Sequence, residues 1–431
     1  MRGRTKRSPR EEMPIALPDV NERTARRSSA IDISQWPVMS ALEAFREAGL
    51  PGITIRSVAA CANVPATTLQ AKFKNKADLL HQTFSTAIAL EKRHLDTLAD
   101  TVGRRRLPPD RLPDFYRAVV LAPGPRGRLS QDMLLEILVR SLRDAEFREY
   151  ARRWLASLQA FWAAFGPSAP DNDFGWFLTE LQLGLLICSL GCARPFETSV
   201  INDEIVERAL VGPAEDDGFW FGTVLTETIA DRFGLADRPQ RHGKVVERFL
   251  TAGARIVATE GPDALTYRRL AREAATSPSA ILYQFPTQEH LIYAVFLRMV
   301  EDLIALAEGA ALARKTPRSH ASAYLSELLL HQEYSSVPLW VIHAELRVLA
   351  SRNDKFAEIA WYLRMANGGA TAATTSAPGF DPFDQRLFDG HVTMTWASGC
   401  LLAHLICDDA EQLREVVARR LNYGLRRLKV R

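Results

Sequence analysis

Signatures of catalysis are missing from this chain of 431 residues: no HExxH, GxSxG, Walker-type or GxGxxG pattern occurs. His94, His290, His320, His331, His343 and His391 are scattered, with no nucleophile or carboxylate constellation around them. No enzymatic activity and no cofactor are expected. Cysteine is scarce, five residues in all, odd in number and without dense spacing, so reduced thiols are expected rather than a disulfide framework. Long apolar runs are absent too. The nearest, residues 181–192, falls short of the roughly 18 to 20 residues a membrane span needs, and it follows Glu180 directly. The Arg-rich start lacks the apolar stretch of a secretory leader. A cytoplasmic protein with no membrane partner is therefore expected. Neither charge sign dominates: the formal net charge of +3 is too small to identify a polyanionic partner by itself.

What is present is a hydrophobic fraction of 47% and a charged fraction of 24%, the balance of a globular chain long enough for two domains. The chain also resembles itself. Residues 40–81 align without a gap on 252–293, so that Gly49, Thr54, Arg56, Ala59, Phe73 and Leu79 answer to Gly261, Thr266, Arg268, Ala271, Phe285 and Leu291. Further on, in a register three residues shorter, Glu136, Val139, Arg143 and Phe147 answer to Glu345, Val348, Arg352 and Phe356. Near the end of each copy Cys188 falls opposite Cys400. A duplication of whole domains is expected.

In the first copy, Ala41, Leu42, Phe45 and Ala48 recur at helical spacing, and Gly49 can end that helix in the left-handed conformation. Thr54 can cap a second helix whose Val58, Ala59 and Ala62 face inward. Asn63 suits a left-handed turn, Val64 plugs it, and Pro65 suits the start of a third helix anchored by Leu69 and Phe73. That leaves Thr67, Thr68, Gln70, Ala71 and Lys72 facing outward. Short polar groups and an amide there can reach base edges, and a lysine can reach phosphate.

These residues, GITIRSVAACANVPATTLQAKFKNKADLL, resemble the head of TetR-family regulators, and ALTYRRLAREAATSPSAILYQFPTQEHLI in the second copy resembles it as well. The resemblance implies an all-α fold of two tandem repeats, each a three-helix helix-turn-helix head followed by a helical ligand-binding and dimerisation bundle. Its DNA-facing residues would be Thr54, Arg56, Pro65, Ala66, Thr67, Thr68, Gln70, Ala71, Lys72 and Lys76 in the first head. In the second they would be Thr266, Tyr267, Arg268, Ser277, Pro278, Ser279, Tyr283 and Gln284. The family's frequent recognition-helix tyrosine is Gln70 in one copy and Leu282 in the other, and its turn glycine is Asn63 and Ala275. The lysine that often opens the fourth helix is Lys76 in the first copy but Gln288 in the second, so the first head is expected to be the stronger reader.

The expected organisation is a disordered basic arm at 1–35, a helix-turn-helix domain at 36–82 and a helical regulatory domain at 83–236. A linker at 237–243 leads to a second helix-turn-helix domain at 244–294 and a second regulatory domain at 295–431. The arm reads equally as a solubilising tail or as a DNA-touching segment. The implied partner is a double-stranded DNA operator, read by two non-identical helices if the copies pair within one chain as a pseudo-dimer; dimerisation of whole chains stays open. The family's habits imply a repressor in the bacterial cytoplasm, held at the nucleoid through DNA. A helical ligand-binding or interaction protein without operator affinity is the alternative.

Trp154, Phe161, Trp162, Trp176 and Phe177 in the first bundle, with Trp340, Trp361 and Trp396 in the second, are candidate lining for a small hydrophobic or aromatic effector; their helical spacing also fits plain core. Cys188 with Cys192, and Cys400 with His404 and Cys407, lie on helical stripes. Close helix packing by small buried residues accounts for them better than a metal or redox site, and no metal is expected.

Overall fold

The computed structural model describes residues 36–103, 107–122, 124–166, 171–212, 243–313, 330, 338–365, 386–406 and 409–428. The basic arm, residues 213–236, the linker up to residue 242 and Cys407 lie outside the described residues. Among the described residues every regular element is helical and there is no strand.

The first part runs α1 (Trp36–Gly52), α2 (Ile55–Cys61), α3 (Ala66–Lys72), α4 (Lys76–Gly103), α5 (Leu112–Val120), α6 (Gly124–Ser141), α7 (Arg148–Ala163), α8 (Asn172–Ser189) and α9 (Pro195–Leu210). The second runs α10 (Lys244–Glu260), α11 (Tyr267–Glu273), α12 (Pro278–Gln284), α13 (Gln288–Ala313), α14 (Leu339–Ala350), a helical stretch at 357–365, α15 (Arg386–His404) and α16 (Ala410–Arg427). In α1, Ala41, Leu42, Ala44 and Phe45 are buried, and helical geometry breaks at Ala48, with φ −145°, and Gly49, with φ +66°. Gly261 ends α10 with φ +87°. Only glycine enters this region at no steric cost, so α1 breaks and α10 ends where the sequence placed a glycine.

At the centre α8 packs along α15. Residues 177–188 of α8 and 390–403 of α15 are buried without interruption, the pattern of helices covered on all sides. Polar links cross here from one part of the chain to the other. Arg347 donates to the Cys188 carbonyl at 2.9 Å, Arg364 to Asn202 Oδ1 at 2.7 Å, and Arg208 pairs with Asp389 at 2.7 Å. One continuous apolar core therefore takes in α1–α9 and reaches across to α15 and α16.

Helices α10–α13 close a second core of their own. The element joining the two cores is α14. Trp340, Ala344 and Val348, spaced four apart, face the main core, whereas Ile342, Leu346 and Ala350 face the second. A helix with two apolar faces transmits a displacement of either core to the other.

Two buried histidines resist protonation in the second part, and Glu301 and Glu345, whose carboxyls burial pushes up, act against them as pH falls. Burial, with Arg347 beside it, pushes the ring of His343 down to about 3; burial, with Arg364, pushes His391 down to about 4. In the unfolded chain both take a proton near the usual 6.5, so the stability they contribute is complete above that pH and is lost as pH falls below it. Glu91 in α4 has the opposite sign: burial pushes its carboxyl up to about 7, which favours the folded first part as pH falls towards 4.5. Acidification from pH 7 to 5 should thus loosen α15 before α4, whereas in α14 the raised carboxyl of Glu345 opposes His343. The slope expected is about 1.4 kcal/mol per pH unit for each ring. Hydrogen exchange mapped along the chain at both pH values checks this, and uniform loosening would contradict it.

Candidate nucleic-acid interface

Each small core presents a pair of short helices. Thr54 caps α2 reciprocally: its Oγ1 accepts from the Ser57 amide at 3.1 Å while Ser57 Oγ accepts from the Thr54 amide at 2.9 Å. Val58 and Ala59 turn inward. Asn63 takes the left-handed conformation at φ +52°, and the Val64 amide closes the turn on the Ala59 carbonyl at 3.0 Å. Pro65 caps α3, whose Leu69 and neighbouring Phe73 are buried. Pro65, Thr67, Thr68, Gln70, Ala71 and Lys72 are exposed and Ala66 is half-buried. Arg56, Lys74 and Lys76 are exposed on the elements beside them, and Thr54 is half-buried under its capping role.

The second pair repeats this construction with different chemistry. Thr266 caps α11 by accepting from the Arg269 amide at 3.2 Å, and Ser277 caps α12 by accepting from the Ala280 amide at 3.2 Å, with Pro278 next. Ala275 occupies the turn at φ +47°, a conformation that costs a residue with a Cβ on the order of 1 kcal/mol. Ile281 and Phe285 are buried, leaving Ser279, Tyr283 and Gln284 outward. Leu282 and Tyr283 are 49% and 82% exposed, an apolar tip where α3 has an amide and a small side chain.

Side chains around α11 take on specific roles in the second head. Tyr267 is half-buried and its hydroxyl donates to the Phe285 carbonyl at 2.8 Å, so it ties α11 to the end of α12. Arg268 is exposed, but its neighbour Arg269 is engaged by Glu260 and Glu273 at 2.9 Å each. Gln288, where the first head has Lys76, donates to the Leu265 carbonyl at 3.3 Å. Exposed positive charge is therefore denser around α3 than around α12.

The second helix pair has a counterpart among known proteins. Residues 249–295 match the family described as bacterial regulatory proteins, tetR family. They form a TetR-type DNA-binding domain. No curated protein matches the chain. The match spans α11 and α12 with the flanking parts of α10 and α13. Such a domain implies binding to DNA and a place in transcription regulation.

The eight aromatic candidates lie elsewhere. Trp154, Phe161 and Trp162 are buried in the first bundle, where Phe115, Tyr116 and Phe165 fill the space around Trp162 at centroid distances from 4.8 to 6.2 Å. Phe177 and Trp396 face each other at 6.1 Å, half-buried Trp176 lies 5.0 Å from the His404 ring, and Trp340 and Trp361 are buried. An open cleft of about 450 Å³ is lined by Arg152, Ala403, His404, Ile406, Asp409, Gln412 and Val416, and by none of the eight.

Glu180, Cys400 and His404 bring possible ligand atoms within 4.8 Å of one another. The Glu180 oxygens already accept from Arg420 Nε at 2.7 Å, Trp396 Nε1 at 3.1 Å and face His404 Nε2 at 3.0 Å. A guanidinium there supplies the positive charge that a cation would bring. Sequence reading missed Glu180 and Arg420, because residues so far apart in the chain share no spacing pattern.

Proposed function

We propose that the chain is a sequence-specific transcription regulator built of two TetR-like repeats, paired within one polypeptide as a pseudo-dimer. Its two recognition helices, α3 and α12, read an operator whose half-sites differ. The observation that carries this reading is the twofold occurrence of one construction: a threonine-capped helix, a left-handed turn, and a second helix with two buried anchors and an exposed outer face. The packing of α8 on α15 supports pairing within the chain. A homodimer reads a palindrome because its two heads are identical. Two different heads read a site with weak palindromy or none.

The regulator acts as a repressor in the cytoplasm, released when a small hydrophobic or aromatic effector enters one of the bundles and shifts the population away from the head spacing that fits DNA. Thermal-shift screening against such compounds, with DNA release as the second readout, identifies the effector class.

Selection of bound duplexes from random sequence, followed by salt titration, tests the main reading. The expected winner is non-palindromic and weakens steeply with salt. Gln70→Ala with Lys72→Ala should relax selectivity at one half-site, and Tyr283→Ala with Gln284→Ala at the other, by about 1–3 kcal/mol for each lost base contact. Identical footprints from the two double variants would contradict the asymmetric reading. Binding to no duplex at moderate salt would leave a helical interaction protein.

A further inference from the structure

The last turns of α1 and α10 are each met by an arginine from the far part of the chain. Arg143, just beyond α6, donates through Nη1 to the Ala258 carbonyl at 2.8 Å and through Nη2 to the Val257 carbonyl at 2.9 Å. The same guanidinium pairs with Glu345 of α14, with Nη2 to Oε2 at 2.8 Å and Nε on Oε1. A Cβ at Gly261 would come within 3.8 Å of its Nε.

The counterpart sits at the other head. Arg352, just beyond α14, pairs with Glu136 of α6, and its guanidinium carbon lies 5.7 Å from the centre of the Phe45 ring in α1. It presses on Gly49 so closely that a Cβ there would overlap it. Glu136 Oε1 in turn accepts from the Leu50 amide at 3.4 Å. A guanidinium at a helix C-terminus meets the negative end of the helix dipole, so both contacts are attractive. Arg143 and Arg352 occupy matching positions in the two copies, as do Glu136 and Glu345, and Gly49 and Gly261.

We propose that Arg143 and Arg352 are positioning residues that hold the heads crosswise: the arginine of the first part sets the second head, and that of the second part sets the first. Resting on the DNA-reading function above, this makes the two recognition helices move together. A shift of α14 reaches the first head through Arg352 and the second through Glu345. A shift of α6 reaches the second head through Arg143 and the first through Glu136. Neither head can be re-aimed without disturbing the opposite bundle.

The test uses the full chain with Arg143→Ala and Arg352→Ala, read first by amide hydrogen exchange without DNA. Arg143→Ala should speed exchange in the last turn of α10 about tenfold or more while leaving α1 unchanged, and Arg352→Ala should do the reverse. On the selected operator, Arg143→Ala should relax discrimination at the half-site sensitive to Tyr283 and Gln284, and Arg352→Ala at the one sensitive to Gln70. Arg143→Lys keeps the charge without the planar fork, and should give the same pattern if the alanine variant does not fold. The charge-exchanged pair Arg143→Glu with Glu345→Arg should recover part of the protection. Loosening of the head in the variant's own part, or of both heads equally, overturns the crosswise hold. If the unaltered chain binds no duplex, the regulator reading fails and the exchange pattern alone decides the hold.

Discussion

Replacing Gly184 by valine is expected to drive α8 and α15 apart and to destabilise the chain by about 3 kcal/mol or more, at the upper end of what overpacking costs. A Cβ at Gly184 would fall on the backbone carbonyl of Thr395, and one at Gly399 on the carbonyl of Glu180. Backbone meets backbone at both positions, so no flexible side chain is available to yield. Gly399→Val should behave the same way. Gly243→Ala is the matched control, because a Cβ there meets nothing within 4 Å. Urea unfolding of the three variants gives the comparison. Under the proposed function the loss extends to DNA: heads no longer joined through a rigid centre lose the effective concentration that linkage supplies, and operator affinity should fall about a hundredfold or more while single half-site binding persists. Unfolding midpoints for both valine variants equal to that of the control would show that the helices do not pack this closely.

The local construction of the heads was legible in sequence because it depends on residues close together in the chain. Thr54 and Thr266 announce caps, Gly49 and Gly261 announce helix ends, and Leu69 with Phe73 announces which side of α3 is hidden. Asn63 and Ala275 both take positive φ, so each turn forms without a glycine. What composition and spacing could not supply were relations between distant segments. Tyr267 reads as a DNA-facing residue beside Arg268, yet its hydroxyl finds the Phe285 carbonyl, a partner that only the packing of α11 on α12 brings within reach. The tryptophans have the periodicity of core and of pocket lining alike, and only the surrounding rings show that Trp162 is enclosed. Glu136, Arg143, Glu345 and Arg352 were visible as repeated positions, but the exchange of partners between copies was not.

The two heads also differ in how they are mounted. The core beneath α2 and α3 is continuous with the main core, whereas that beneath α11 and α12 is separate and reaches the centre along α14. The first head therefore joins the centre through α6 and α7 within one apolar core, and the second joins it through α14 and through the Arg143 link from α6. This mechanical inequality accompanies the chemical one between Gln70 and the exposed Leu282 and Tyr283.

Arg420→Met is expected to cost about 3–5 kcal/mol, because it leaves the carboxylate of Glu180 buried without its cation. Arg420 donates to Glu180 at 2.7 and 3.1 Å, and reaches Asp173 Oδ1 and the Asp173 carbonyl at 2.9 and 3.1 Å, so it fastens α16 to two turns of α8. Burial alone would push the Glu180 carboxyl up, but the hydrogen bond with His404 and the charge of Arg420 more than offset it and hold the group below its usual value. The pair therefore stabilises fully above pH 4.5, and its contribution is lost as pH falls through the lowered value. Glu180→Leu together with Arg420→Met removes both charges from the interior and should restore most of the stability lost in Arg420→Met. Urea unfolding of the two single variants and the double variant yields the coupling energy directly. Additive single effects would show that the carboxylate and the guanidinium do not share one site, and the fastening of α16 would then rest on the Asp173 contacts and on the apolar packing of Val417 and Leu421.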